Sequence, residues 1–404
     1  MGVPKLRFKS DDGSDFPDWT FHTFGSVVEE FNDRTTTENE DVLLSCAIDG
    51  MYLNSELFGH QRGASNIGYK KITKGSLILS MQNLHLGNAN VNTRFEHGIV
   101  SPAYKTFHIV GCLTEFMSAW VKRHAARKFF YDATTVGASQ CRRNVDWEEL
   151  YQQTIAVPSP SEQRKISDCL SAVDAVIAAQ RAEVDAWEQR KKGVMQKLFS
   201  QEVRFKADDG NDFPDWEEKT LGDLGEFIKG VPLSKADIAP EGNPMILYGE
   251  LYTTYGEVAY EIARSTNRNV DDKYRSKIGD VLIPTSGETP EEISTATCVM
   301  KEGVILAGDL YIYRTVDEID GRIMSYLLNH QANKAISCIA QGKSVVHVQA
   351  KELRNITVVF PLEMGEQRKI ADCLTSMDEV IRKSKDELAK WQELKKGLLQ
   401  QMFV

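Results

Sequence analysis

The chain has 404 residues, 48 Lys and Arg against 58 Asp and Glu, a formal net charge of −10 and 42% hydrophobic residues. Its length predicts two or three domains, and its composition excludes wholesale disorder, a collagen-like repeat and a disulfide-stapled miniprotein. The acidic balance argues against a surface coated in nonspecific nucleic-acid affinity, but a net charge sums over all faces and leaves room for a local DNA-binding one.

In chain order the first element is a leader, Leu6–Trp19 (LRFKSDDGSDFPDW), which returns as Val203–Trp216 (VRFKADDGNDFPDW) with eleven of fourteen positions identical. Recurrence of that quality marks an internal repeat. The region that follows, about 20–158, mixes short β-rich runs such as Ser76–Leu79 with turn residues, which predicts a mixed α+β globule. Within it, Ser80–Arg94 (SMQNLHLGNANVNTR) reads as one loop carrying Gln82, Asn83, His85, Asn88, Asn90, Asn92 and Arg94. Carboxamides present the donor and acceptor that read adenine, and arginine reads guanine, so these are candidate base readers. Turn geometry alone also favours Asn and Gly. A helical stretch, Leu113–Lys128, ends in Lys122, Arg123, His124, Arg127 and Lys128, where phosphate contact and a plain solvated face are the two readings. A strand into proline, Thr154–Pro158, closes the region.

The next segment, 159–201, is different in kind. Ile166, Leu170, Val173, Ile177, Gln180, Val184, Trp187, Lys191, Val194 and Leu198 alternate spacings of four and three, the heptad seam of a coiled coil. Ser161 is the expected N-cap, ahead of an acidic first turn. Trp187 reads as seam packing, Gln180 as a polar break that fixes register, and Gly193 as a site of close helix approach or of a kink.

The second half repeats this plan over 202–361 and 362–404. Gly279–Ile283 answers Gly75–Leu79, Ile305–Tyr311 answers Ile99–Tyr104, and Thr357–Pro361 answers Thr154–Pro158, with a helical stretch at Ile323–Cys338. The counterpart of the Asn-rich loop is Pro284–Glu292, so Thr285 and Ser286, with Tyr248, Tyr252, Arg264, Arg268 and Lys343, are the DNA-binding candidates here. The last seam runs through Ile370, Leu374, Met377, Ile381, Ser384, Leu388, Trp391, Lys395, Leu398 and Met402. The two middle regions share punctuation but little identity, as one fold carrying two surfaces would.

No catalytic constellation stands out. The amino-methyltransferase signatures NPPY, DPPY and FxGxG are missing, Gly342-Lys343-Ser344 lacks the upstream glycine of a phosphate loop, and Pro214, Asp215, Glu217 and Lys219 fit a nuclease pattern that the first repeat does not keep. The seven cysteines form no CxxC pair and have no zinc spacing, so neither cofactor nor metal is expected on this chain, and reduced thiols fit a cytoplasmic protein. No apolar run reaches the ~18–20 residues of a membrane helix, and no signal-peptide core begins the sequence.

The repeated leaders, the strand–proline–EQRKI junctions at Pro158–Ile166 and Pro361–Ile370, and the two helices ending in KKG…Q..F resemble the specificity subunit of type I restriction–modification enzymes. Leu221–Lys235 and Ala340–Leu353 are similar to the opening and close of that family's target recognition domain. Thr135–Leu150 keeps only Gly137 and the Glu-Leu ending, and the first half has no counterpart of FIKGVP. The resemblance implies an α+β chain: two target recognition domains (1–158 and 202–361) separated by two long antiparallel coiled-coil helices with pseudo-two-fold repetition. It implies a non-catalytic subunit that recognises a bipartite site on double-stranded DNA. Two methyltransferase subunits and restriction/translocase subunits are the implied partners, and S-adenosylmethionine, ATP and magnesium are expected on them. A structural adaptor that binds proteins through the same coiled coil is the alternative, and an enzyme with a duplicated active site a third reading. Salt dependence of duplex binding separates the adaptor from the DNA reader.

Overall fold

In the computed structural model, which describes residues 4–59, 65–139, 142–342 and 345–403, the two seams form helices Pro160–Phe199 and Met364–Met402. At 40 and 39 residues, each is about 60 Å long. The first helix begins two residues earlier than expected. Pro160 occupies its first position, where a missing N–H costs nothing, and the Ser159 hydroxyl accepts from the Glu162 amide (3.4 Å), so Ser159 and not Ser161 is the cap. Ile166, Leu170, Val173, Val184, Lys191 and Leu198 are buried along one stripe, as are Ile370, Leu374, Met377, Ile381, Ser384 and Met402 on the other helix; Ile177, Trp187 and Trp391 are part-buried in the same rows. A Cβ built on Gly193 or Gly397 meets nothing within 4 Å, so close helix approach does not explain either glycine.

The chain divides into two compact units: residues through Glu183 together with those from Ser384 onward, and Val184–Lys383. Each unit therefore combines one globular head with part of each helix. In the first, Ile166 and Leu170 share a core with Leu399, Met402 and Phe403, Asp174 pairs with Lys395 (2.5 Å), and the Gln180 amide reaches the Ser384 carbonyl (3.5 Å). In the second, Met195 and Leu198 share a core with Ile370 and Leu374, and Lys191 pairs with Asp378 (2.5 Å). In both units the helices run antiparallel.

The heads repeat one sheet. In the first, strands Val28–Phe31, Tyr104–Ile109, Leu77–Ser80 and Ala89–Val91 lie side by side in that order. In the second the order is Gly225–Lys229, Leu310–Thr315, Asp280–Pro284 and Thr297–Val299, extended by Val258–Ala259. The aligned runs Leu77–Leu79 and Val281–Ile283 are fully buried, which is why they read as unbroken apolar stretches without alternation. The predicted helical stretches are each two shorter helices, Thr114–Lys122 with His124–Asp132 and Gly321–His330 with Asn333–Ile339.

The repeated motifs are a clamp. Glu162 is buried and takes a two-pronged bond from Arg7 (2.9 and 2.8 Å), while Glu366 takes the same bond from Arg204 (3.0 and 2.8 Å). The next residue faces the head. Gln163 donates to the Pro158 carbonyl and accepts from the Leu113 amide; Gln367 does so with Pro361 and Asp320. Lys165 and Lys369 then hold the leader through the Lys9 and Lys206 carbonyls and pair with Asp11 and Asp208. Leader, strand and helix start are thus joined three ways in each unit, and EQRK supplies all three side chains.

Candidate nucleic-acid interface

In the second head the segment after strand Gly225–Lys229 folds back on the sheet. Gly230 packs where a Cβ would lie 3.0 Å from both the Gly308 carbonyl and Leu310, and Gly308 takes a left-handed conformation (φ +82°) beneath the Tyr248 ring. Those two close approaches leave a cleft of about 1120 Å³ lined by Lys229, Lys235, Tyr248, Tyr252, Arg264 and Glu288, among others. Ser234 caps the turn Lys235–Asp237, accepting from the Ala236 amide at 3.3 Å. Arg264 is held by Glu250 (2.9 Å) and Arg268 by Asp237 (2.9 Å), so both guanidiniums are positioned, not free. Tyrosine faces, a carboxylate acceptor and two lysines suit both stacking and hydrogen bonding to base edges.

Of the residues singled out in the sequence, Tyr248, Tyr252 and Arg264 line this cleft, and Arg268 is outside its lining, held on Asp237. Thr285 and Ser286 do not line it either. Both are buried in the sheet, where the Thr285 amide and the Ser286 hydroxyl donate to the Asp309 carbonyl and carboxylate respectively. Lys343 lies outside the described residues. Lys229, Lys235 and Glu288 were missed; the glycine–proline turn Gly230–Pro232 was the signal that a loop folds over there.

The first head corrects the base-reading loop. Asn88, Asn90 and Asn92 are buried, and their amides are committed to the fold. Asn88 donates to the Cys46 carbonyl (3.0 Å), Asn90 to the Ala47 carbonyl (2.5 Å), and Asn92 to the Thr73 and Phe95 carbonyls (3.1 and 2.8 Å) while accepting from the Phe95 amide (3.0 Å). Asn90 lies in strand Ala89–Val91 with Asn88 and Asn92 immediately flanking it, and their spacing of two puts all three on one face. Gln82 and Asn83 remain exposed on the turn before Leu84, His85 is part-buried, and the half-exposed Arg94 is locked two-pronged on Glu56 (3.0 and 2.8 Å). Replacing Asn92 by alanine removes the bonds to the Phe95 amide and carbonyl, while the Thr73 carbonyl keeps the Ser76 amide (3.1 Å), so urea denaturation should show a loss of about 2–3 kcal/mol, with base preference unchanged in the folded variant. A loss below about 0.5 kcal/mol would contradict this structural role.

Lys122 and Arg123 are not an exposed basic helix end either. The Lys122 ammonium turns inward to the Ile48 carbonyl (2.7 Å) and the Asn90 amide oxygen, and burial pushes its pKa down to about 8. Arg123 lies over the Trp120 ring at 4.3 Å, its pKa held down to about 10 by burial. The helix ends at Arg123, which has extended backbone, and this turns both side chains back onto the head.

Residues 214–390 match the type I restriction modification DNA specificity domain. Over 351 residues the chain is 26% identical to a protein named as the type I restriction enzyme MjaX specificity subunit of Methanocaldococcus jannaschii, an alignment covering 83% of this chain and 74% of that one. It is 23% identical over 269 residues to the MjaVIII specificity subunit of the same organism, covering 61% of each. The fold is similar to the crystal structure of a type I restriction–modification S subunit from M. genitalium, with a TM-score of 0.64 at 15% identity, covering 100% of this chain and 99% of that chain. Residues 214–390 carry a type I specificity domain, and the chain as a whole is similar to type I specificity subunits. DNA sequence recognition within a restriction–modification assembly is the general role of such specificity subunits, which are non-catalytic. Among the described residues of this chain no group of three His, Cys, Asp or Glu is placed to hold a metal, and no helix is long and apolar enough to cross a membrane.

Proposed function

We propose that the chain reads a bipartite site on double-stranded DNA, one half-site with each head, and that it directs partner subunits which carry out methyl transfer and cleavage. The observation that carries this reading is the same four-strand order presenting unlike surfaces: a tyrosine-lined cleft in the second head, and in the first an exposed Gln82–Asn83 turn above asparagines consumed by the fold. A fold repeated with altered loops is how one scaffold reads two sequences. The partners in this reading are two methyltransferase subunits and the restriction/translocase subunits, and S-adenosylmethionine, ATP and magnesium belong to them.

The test is exchange of one head. Replacing about residues 20–158 by the equivalent region of a relative, with leader, Glu162–Lys165 clamp and helices kept, should change one half of the methylated sequence and leave the other intact. Sequencing of methylated sites in a host carrying the complete system reads this directly. A swap that altered both halves in an assembled complex would overturn the two-headed reading. Duplex binding that showed no dependence on salt would instead favour an adaptor, since neutralising phosphates gives a steep log–log slope.

A further inference from the structure

The clamps allow the surroundings of one lysine to be compared between the units. Leu113 and Asp320 donate their amides to Gln163 and Gln367 in the same way (2.7 and 2.8 Å), which sets Met117-Ser118-Ala119 against Met324-Ser325-Tyr326. By the same repeat Lys395 answers Lys191 and Asp174 answers Asp378. In the second unit Lys191 is closed in. It meets Glu257 (3.0 Å) and Asp378 (2.5 Å) and lies over the Tyr326 ring at 5.2 Å, while the Tyr326 hydroxyl donates to Asp378 and His330 meets Glu257 at 2.9 Å.

In the first unit that closure is missing. Ala119 stands where Tyr326 does, and the space holds two adjoining clefts of about 590 and 650 Å³ that share Thr93, Ser118, Lys122, Lys395 and Leu399. Lys395 has Asp174 at 2.5 Å, but the hydrogen bonds of Lys122 go to neutral carbonyl oxygens. One lysine meets two carboxylates in the second unit, whereas here Lys395 meets one and the hydrogen-bond partners of Lys122 are neutral oxygens. Lys396 and Arg94 add to the positive wall, although Lys396 is 3.5 Å from Glu393 and Arg94 is paired with Glu56; among the described residues the carboxylates lining the two clefts are Asp49, Glu115 and Asp174. An anion here gives Lys122 the counter-charge that its neutral oxygen partners do not supply, and the Ser118 and Thr93 hydroxyls offer neutral donors beside it.

We propose that this cleft of the first unit binds a phosphate group, with the Lys122 and Lys395 ammonium groups as counter-charges. The depressed pKa of Lys122, set mainly by burial and added to by Lys395, is the state that a bound anion would relieve. The inference stands on the side chains of the cleft and does not require that either head read DNA.

The experiment is a titration of the full chain with inorganic phosphate at constant ionic strength, followed by thermal unfolding. A saturable rise in Tm is expected, absent with chloride alone. Lys122→Met should weaken phosphate binding by about tenfold or more, as loss of a charge-assisted hydrogen bond does. Lys396→Gln, on an exposed side chain that touches no core, should weaken it by about threefold and serves if the first variant does not fold. A short duplex lacking any recognition site that displaces phosphate assigns the group to a DNA backbone; ATP that displaces it where duplex does not assigns it to a free nucleotide. The proposal fails if phosphate acts no better than chloride, if both variants respond like the parent chain, or if a polyglutamate peptide binds while phosphate does not.

Discussion

Replacing Arg204 by methionine should lower the stability of the second unit by about 3–5 kcal/mol. The Glu366 carboxylate is fully buried at the start of the second long helix, and both of its oxygens take hydrogen bonds from Arg204. Removing the guanidinium leaves a carboxylate with the Trp216 indole as its remaining side-chain donor (3.2 Å), and that donor is neutral. Desolvation of the unpaired charge, more than loss of the bond, sets the magnitude. Urea denaturation followed by tryptophan fluorescence reads it, and Trp216 lies at the altered site. Arg204→Met combined with Glu366→Leu should recover most of the loss, because the charge that had to be compensated is then gone. A single variant within about 1 kcal/mol of the parent would show that the clamp is ornamental. Arg7 and Glu162 should behave alike in the first unit.

Acid should weaken the second unit through Glu257. Burial alone would raise its pKa, but the His330 hydrogen bond and the Lys191 charge win and bring it down to about 2. A carboxylate with a folded pKa below its unfolded value contributes stability that is complete above about pH 4.5 and lost as pH falls towards 2. The shift corresponds to about 3 kcal/mol. Asp378, raised by burial and by Glu257, titrates in the opposite sense and offsets part of that loss. Glu257→Gln should therefore be less stable than the parent at pH 7, with a flatter profile between pH 5 and pH 3. Parallel denaturation curves for the two proteins across that range would rule out Glu257 as the acid-sensitive group.

The repeat, the two helices and their seams were legible in the sequence because they are local or periodic. A heptad stripe repeats its signal about ten times along each helix, and burial in the structure follows that stripe from Ile166 to Leu198 and from Ile370 to Met402. The leader and the EQRK tetrapeptide were visible as repeated words, but their meaning was not. Arg7 and Glu162 are 155 residues apart, Arg204 and Glu366 162, and only the fold brings each pair together. The candidate site divided along the same line. Tyr248, Tyr252 and Arg264 line one cleft with the Gly230 turn, whereas Asn88, Asn90 and Asn92 have suitable chemistry and no access. A carboxamide offers the same N–H donor to a base edge and to the carbonyl of Cys46, Ala47 or Thr73, so its sequence neighbours could not tell the two apart. Burial decided it, and burial at Asn90 and Asn92 depends on strands and turns up to 43 residues away. The charge of the first unit's cleft was equally hidden, since Lys122 and Lys395 are neighbours only because an antiparallel helix returns the end of the chain to the first head.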